Sequence, residues 1–316
     1  MSEVDPKAAP SVCIVLATLN GAAHVNQQID SFKSQALQPR WLVVSDDGST
    51  DDTLEIIERA CRTWVNCKLF ILDGPRLGYA ANFFHALSHV PPDADYIALS
   101  DQDDVWLHDK LERAVAALTK TETAGARALY GSATWVSSLN LEPRRLSRIT
   151  KVTPNFNHAL AQNFAGGNTM VLSRPAMEVL RHAMEKPLRV EVHDWWIYQL
   201  LAGSGANIIY DEEPSLLYRQ HQNNLIGDNS GSLAVLRRFR KMLRGTYKSW
   251  NSRNFEALLE RSHLLTPGAA RTLETTMKGR NGNLAARLTL AREGIVMRQS
   301  ALGRIGLWLS LALNRF

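Results

Sequence analysis

Short apolar runs alternating with amphipathic helical segments predict an α/β fold: a Rossmann-like parallel sheet covered by helices on both faces. Two further observations support that class. Polar, acid-rich motifs follow directly on the strands, where open α/β sheets place their ligands. From Leu233 onward the pattern turns helical and basic, which predicts a C-terminal helical extension.

The elements run in order. Val12–Thr18 reads as a buried strand, Ala23–Gln35 as a helix and Trp41–Ser45 as the second strand. Asp52–Trp64 follows as a helix introduced by the Ser49-x-x-Asp52 capping pattern. Lys68–Leu72 is a strand, Ala80–His89 a helix, Tyr96–Ser100 a strand, Lys110–Lys120 a helix and Ala128–Val136 a strand. The second half is less regular. Leu139–Asn157 is loop-like, Asn168–Leu172 a strand, Pro175–Met184 and Asp194–Leu201 helices, and Asn207–Tyr210 and Ser215–Arg219 strands. This gives an N-terminal tail over residues 1–10, a catalytic-type domain over 11–230 and a basic helical region over 231–316. No internal repeat is visible.

At 316 residues the chain suffices for one large domain and an appendage. The polar opening carries no secretory pattern, and three scattered cysteines form neither a disulfide framework nor a zinc motif, so the expected setting is the cytoplasm. The net charge of +5 conceals a division: residues 233–316 carry sixteen Lys and Arg against four acids, a net of +12, which leaves −7 for residues 1–232. An acidic body suits a cation, and a basic tail suits an anionic surface.

The strongest chemical signal is Ser100-Asp101-Gln102-Asp103-Asp104, directly after the apolar strand Tyr96–Leu99. Carboxylates crowded at a strand end repel one another, and a divalent cation such as Mg²⁺ or Mn²⁺ removes that cost and can bridge a diphosphate. An acidic turn ahead of the next helix would leave the same trace. Val43–Asp51 contains Asp46-Asp47-Gly48-Ser49 at another strand end, and Ala17-Thr18-Leu19-Asn20 closes the first strand. Each of these alone is compatible with an ordinary strand-to-helix turn.

In their order on successive strand ends, Thr18-Leu19-Asn20, Asp46-Asp47-Gly48-Ser49 and Asp101-Gln102-Asp103-Asp104 resemble the inverting GT-A glycosyltransferases of family 2. Gly78-Tyr79-Ala80-Ala81-Asn82-Phe83 is similar to that family's loop-to-helix segment, and the resemblance covers roughly Ser11–Asn224. Phe164–Met170, His193-Asp194-Trp195-Trp196 and Tyr218–Asn224 resemble the rhamnosyltransferase-type branch, which builds cell-surface polysaccharides from dTDP-L-rhamnose. The resemblance implies a GT-A fold, a nucleotide-diphospho-sugar donor, a glycan or lipid-linked acceptor, Mg²⁺ or Mn²⁺, and inversion at the transferred sugar.

It also implies roles. Asp47 would bind a pyrimidine, with Thr18 and Asn20 lining the same pocket and Gly78 and Asn82 bordering the donor. Asp101 would face the ribose and Asp103 would ligate the metal, with Asp104 behind them. Arg219 would neutralise the diphosphate or else form a surface ion pair, and His221 would complete the metal or diphosphate site unless it is structural. Gly166 and Gly167 would admit the acceptor close to the backbone or simply form a turn, and Trp195 and Trp196 would offer a sugar an apolar face, unless one or both belong to the core. Asp194 would be the catalytic base, unless it serves only as a helix N-cap. The family often has Glu-Asp where this chain has His193-Asp194, which leaves the histidine without an assigned role.

Between Ser232 and Asn254 lie seven Lys and Arg and no acid, with Leu236, Phe239, Met242 and Leu243 among them at helical spacing. Such a helix can rest on an anionic membrane, and Ile305–Leu313 adds an apolar stretch far short of the ~20 residues a span requires. The alternative is that these positions pack on the body or on a second copy in a homodimer. Donor alternatives are a UDP- or GDP-sugar. A nucleotidyltransferase lacks the expected Gly-rich basic loop after the first strand, and nucleic acid is not an expected partner of an acidic body.

Overall fold

The computed structural model describes residues 9–121, 126–220 and 239–316. The buried run β1 (Val12–Thr18) leads into α1 (Val25–Lys33), β2 (Trp41–Asp46), α2 (Thr53–Cys61), β3 (Lys68–Asp73), α3 (Tyr79–Ser88) and β4 (Tyr96–Ser100). Then come β5 (Val105–Trp106), α4 (Lys110–Thr121), β6 (Ala128–Ser132), β7 (Trp135–Ser137), β8 (Pro143–Leu146) and α5 (Phe156–Ala159). β9 (Val171–Ser173), α6 (Arg174–Met184), α7 (His193–Gly203), β10 (Asn207–Asp211) and β11 (Leu216–Arg219) complete the body. The C-terminal helices are α8, described over residues 239–243, α9 (Thr246–Leu259), α10 (Pro267–Asn281), α11 (Leu284–Arg292) and α12 (Ala301–Ala312).

The large sheet has the order β10-β6-β9-β4-β1-β2-β3. Every residue of β1, β2 and β4 is buried, as expected of strands covered on both faces. Pairing sets Thr18 opposite Asp46 and Leu16 opposite Ser100, so the carboxyl ends of three central strands open on one edge. The sheet is α/β as predicted but not wholly parallel: β9 runs antiparallel to both β4 and β6.

A second sheet, β5-β11-β7-β8, was not expected. The predicted single strand Ala128–Val136 divides between the two sheets, and the expected loop Leu139–Asn157 contains β8. β11 lies antiparallel to β5, pairing Leu217 with Val105, which brings Arg219 back beside the acidic motif.

The core has one layer on each side of the sheet. One joins strand residues to α1 and α4 through Ile29, Phe32, Leu111, Val115 and Leu118. The other continues without a break from α3, α6 and α7 into Phe255, Leu258, Leu273, Leu290, Leu307 and Leu311 of the C-terminal helices. Arg261 locks this junction. Its buried guanidinium donates to the carbonyls of Ala183 (2.6 Å), Lys186 and Pro187 (2.9 Å each), meeting acceptors left open around the end of α6. Among the described residues no helix is long and apolar enough to cross a membrane.

Candidate active site

The strand-end wall of the cleft is built around Asp46. Its carboxylate accepts from the hydroxyls of Thr18 (2.8 Å) and Ser49 (2.6 Å) and from the backbone N–H groups of Gly48 (3.1 Å) and Ser49 (2.7 Å). Gly48 takes φ +100°, a conformation a side chain would strain. Ser49 therefore organises this turn; the N-cap of α2 is Asp52 with no side-chain bond, and the helix start is held instead by Asp51, which accepts from Thr53 N–H at 3.2 Å. Asn20, at φ +49°, accepts from Thr50 N–H at 2.9 Å and so joins the β1 and β2 turns.

Asp47 reaches the other way. Its oxygens accept from Arg76 N–H (2.6 Å) and Gly78 N–H (3.0 Å), which fixes the β3–α3 turn to the end of β2. Asn82 is buried behind them; its amide takes the Ser45 hydroxyl (2.6 Å) and donates to the carbonyls of Ser45 (2.8 Å) and Thr18 (3.3 Å). Of the residues expected to touch the donor, Thr18 and Asn82 are thus buried in the scaffold, whereas Asn20, Asp47 and Gly78 stand at the open rim.

The acidic motif divides in the same manner. Gln102 pairs with both backbone groups of Leu19, at 2.9 and 3.0 Å. Asp104 is fully buried and accepts from Asn168 Nδ2 (2.5 Å) and Arg219 N–H (3.2 Å). Asp101 and Asp103 are half-buried at the cleft. Burial, with repulsion from Asp103 and then Asp194, holds the Asp101 carboxyl above the usual carboxylate range against the pull of Lys110. That donor set fits a hard divalent cation completing its coordination with diphosphate and water oxygens. Among the described residues no three His, Cys, Asp or Glu side chains cluster to hold a metal unaided, and His221 lies outside the described residues.

Sequence reading missed Lys110. Its fully buried ammonium donates to the Asn168 carbonyl (2.8 Å) and lies 4.5 Å from the Trp106 ring centre; burial pushes it down to about 7, against Asp104. A signal was available, since Lys110 stands at the core phase of α4 with Ala114 and Leu118. Arg219 is also corrected. Expected on the diphosphate, its buried guanidinium instead donates to the carbonyls of Asp103 (2.9 Å) and Leu139 and to Gln27 Oε1 (2.5 Å), holding the acidic loop in place.

The opposite wall is the first turn of α7. Asp194 is 6% exposed, and its carboxylate accepts from Gly167 N–H (2.8 Å) and Trp195 N–H (2.6 Å). Burial outweighs those bonds and pushes its carboxyl up to about 6. The residue preceding α7 is Val192, so Asp194 lies inside the first turn rather than at the cap. A Cβ on Gly167 would come within 2.8 Å of His193 Nε2 and 3.0 Å of Asp194 Cβ, so position 167 requires glycine for this approach. Gly166 precedes it in extended backbone. Tyr79 links the walls: its hydroxyl donates to the Glu191 carbonyl (2.8 Å), and its pKa is raised by burial and by the charges of Asp194, Glu191 and Asp101.

His193 stacks on Phe83 at 3.8 Å and 14°, and among the described residues neither ring nitrogen has a hydrogen-bond partner. Burial pushes it down to about 3, so the ring is neutral and cannot replace the acid of the Glu-Asp pattern. Trp196 is wholly buried and Trp195 nearly so, its indole N–H on the Ala159 carbonyl at 2.7 Å; both belong to the core rather than to an acceptor surface.

The family model described as "Glycosyl transferase family 2" matches residues 13–183. The dTDP-rhamnosyl transferase RfbG of Shigella flexneri is 25% identical over 310 residues, covering 95% of this chain and 100% of that protein. The putative glycosyltransferase EpsE of Bacillus subtilis is 32% identical over 111 residues, 35% of this chain and 39% of its own. Among solved structures, S. aureus TarS 1-349 in complex with UDP-GlcNAc superposes with a TM-score of 0.54 at 14% identity, covering 96% of this chain and 88% of that one. The mannosyltransferase PcManGT from Pyrobaculum calidifontis, in complex with GDP-Man and Mn²⁺, gives 0.51 at 18% identity, covering 98% and 87%. These two establish the likeness of fold, a GT-A-type α/β body with added C-terminal helices. The family model spans more than half of the chain, from β1 through the acidic motif to α6, and the protein is therefore a member of glycosyl transferase family 2.

Proposed function

We propose that the protein transfers a sugar from a nucleoside diphosphate to an acceptor hydroxyl with inversion, Asp194 acting as the base. The observation that carries this reading is the placement of Asp194: a desolvated carboxylate, fixed by Gly167 N–H, stands near enough to Asp101 and Tyr79 for its charge to act on both. The acceptor hydroxyl gives its proton to Asp194 as its oxygen bonds to the anomeric carbon. The bond from that carbon to the diphosphate oxygen breaks, and its electron pair leaves with the nucleoside diphosphate. Asp103 would hold Mg²⁺ or Mn²⁺, whose charge stabilises the departing diphosphate, and Asp101 would face the ribose. Arg219 and Asp104 keep those carboxylates in place, and Asp47, Asn20 and Gly78 form the rim beside the base and ribose.

The donor is a nucleotide-diphospho-sugar, and the broader class of UDP- and GDP-sugars is better supported than any single sugar. The relative named as a dTDP-rhamnosyl transferase, matched along its whole length, supports dTDP-L-rhamnose as the specific candidate within that range. The acceptor is a polysaccharide or lipid-linked glycan of the cell surface, met in the cytoplasm at the membrane face. Thermal-shift screening of dTDP-, UDP- and GDP-sugars with Mn²⁺ ranks the donors, since a ligand of the native state raises Tm according to its affinity. Asp194→Asn tests the base: turnover falls on the order of 10²–10⁴-fold while the donor-induced shift persists. Near-normal turnover in that variant removes Asp194 from the mechanism.

A further inference from the structure

Helix α12 (Ala301–Ala312) faces water with an apolar side. Leu307, Ser310 and Leu311 turn inward. Leu302, Ile305 and Leu309 lie on the other side at helical spacing, continued by Leu313, and are 63%, 64%, 37% and 46% exposed. Trp308 borders this row. A helix packed on a core by one stripe ordinarily presents polar residues to solvent. Here the only charged residue of the helix is Arg304, set apart from the row on the far side of Trp308.

The row ends at a group of cations. Lys248 Nζ donates to Asn314 Oδ1 at 2.9 Å, and the Arg315 guanidinium lies against Gly245. Burial and the nearby charges of Arg280, Arg315 and Arg287 draw the Lys248 ammonium below its usual range. Exposed Phe239, Arg240, Lys241, Leu243 and Arg244 precede Gly245 and approach the same end. Neither residues 239–254 nor residues 294–316 contain a single acid. A second copy would bring the same acid-free segments against these cations, whereas a bilayer with anionic headgroups offers acyl chains to the row and phosphates to the basic groups.

We propose that α12 and its cationic end form the docking surface for an anionic lipid bilayer, the helix lying in the plane of the interface. This specifies the membrane location included in the proposed function, and it does not depend on which donor is used.

The test is sedimentation of the full chain with phosphatidylcholine vesicles, with and without about 30 mol % phosphatidylglycerol. Binding rises at least about tenfold with the anionic lipid and declines between about 0.05 and 0.5 M salt. The triple variant Leu302→Ser, Ile305→Ser, Leu309→Ser and the double variant Lys241→Glu, Arg244→Glu each lose about tenfold. Unchanged melting and an unchanged donor-induced shift show that these variants are folded. Equal binding to both vesicle types, binding to neither, or wild-type binding by the folded triple variant overturns the proposal. So does a lipid-free dimer, seen by light scattering, that the triple variant abolishes, because the face is then covered by a second copy. Failure of the glycosyltransferase reading would appear separately, in a transfer assay with a water-soluble acceptor.

Discussion

The two walls of the cleft are constructed on opposite terms. At the strand ends, Asp46 satisfies its carboxylate with four hydrogen bonds and Asp47 with two, and Asn82 uses its amide oxygen and nitrogen within the scaffold. At the start of α7, Asp194 has two backbone donors that do not offset its burial, and His193 finds no partner for either ring nitrogen among the described residues. The first wall spends polar groups on position, which lets three separate turns present Asp101 and Asp103 at fixed places. The second holds a carboxylate in a poorly solvated setting, which raises its basicity. A base with a pKa near 6 takes a proton more readily than an ordinary aspartate while remaining ionised at neutral pH.

This contrast can be broken at four points. The largest effect is expected on the strand wall, where chelation of divalent cations or Asp103→Asn lowers turnover on the order of 10²–10³-fold. Full activity in EDTA would show that the acidic motif works without a cation. Next comes Asp46→Ala, which strands the Thr18 and Ser49 hydroxyls and costs about 2–3 kcal/mol in denaturant unfolding. A loss below about 0.5 kcal/mol would mean that the turns hold one another without it. On the α7 wall, Asp194 must be deprotonated to act, so kcat/KM rises with pH through about 6 and levels off above it. A profile already flat at pH 5 would remove the tuned base. The smallest effect belongs to His193→Leu, which removes two unpaired buried nitrogens at similar volume and changes stability by within about 1 kcal/mol, toward greater stability. A large loss would reveal a partner for the imidazole.

Much of the first half was legible because its strands are buried on both faces and their ends carry the chemistry. Val12–Thr18 and Tyr96–Ser100 emerge with the bounds read from the sequence. Strand direction was not legible, since an apolar run such as Val171–Ser173 carries no mark of whether it pairs parallel or antiparallel. The break after Ser132 was hidden for a similar reason: residues on both sides are buried, and what marks the change of sheet is tertiary, such as the Ser132 hydroxyl donating to Ser215 at 2.6 Å. Within the site, residue types identified the neighbourhood but not the division of labour. Thr18, Asn82 and Arg219 have the groups a donor would need, yet each is occupied by carboxylates, amides or carbonyls brought close only by the fold.

The junction sealed by Arg261 bears on how this enzyme can be handled. Leu265 fills the space above Gly203, Asn254 pairs with Gln199 at 3.0 Å, and Thr266 N–H donates to the Gly203 carbonyl at 2.9 Å. A shortened form cut ahead of residue 239 would lay bare the back of α7 with its Trp196, over which Arg261 lies, and would be expected to precipitate rather than yield a minimal catalyst. Solubility is better sought by exchanging outward-facing side chains than by trimming the polypeptide.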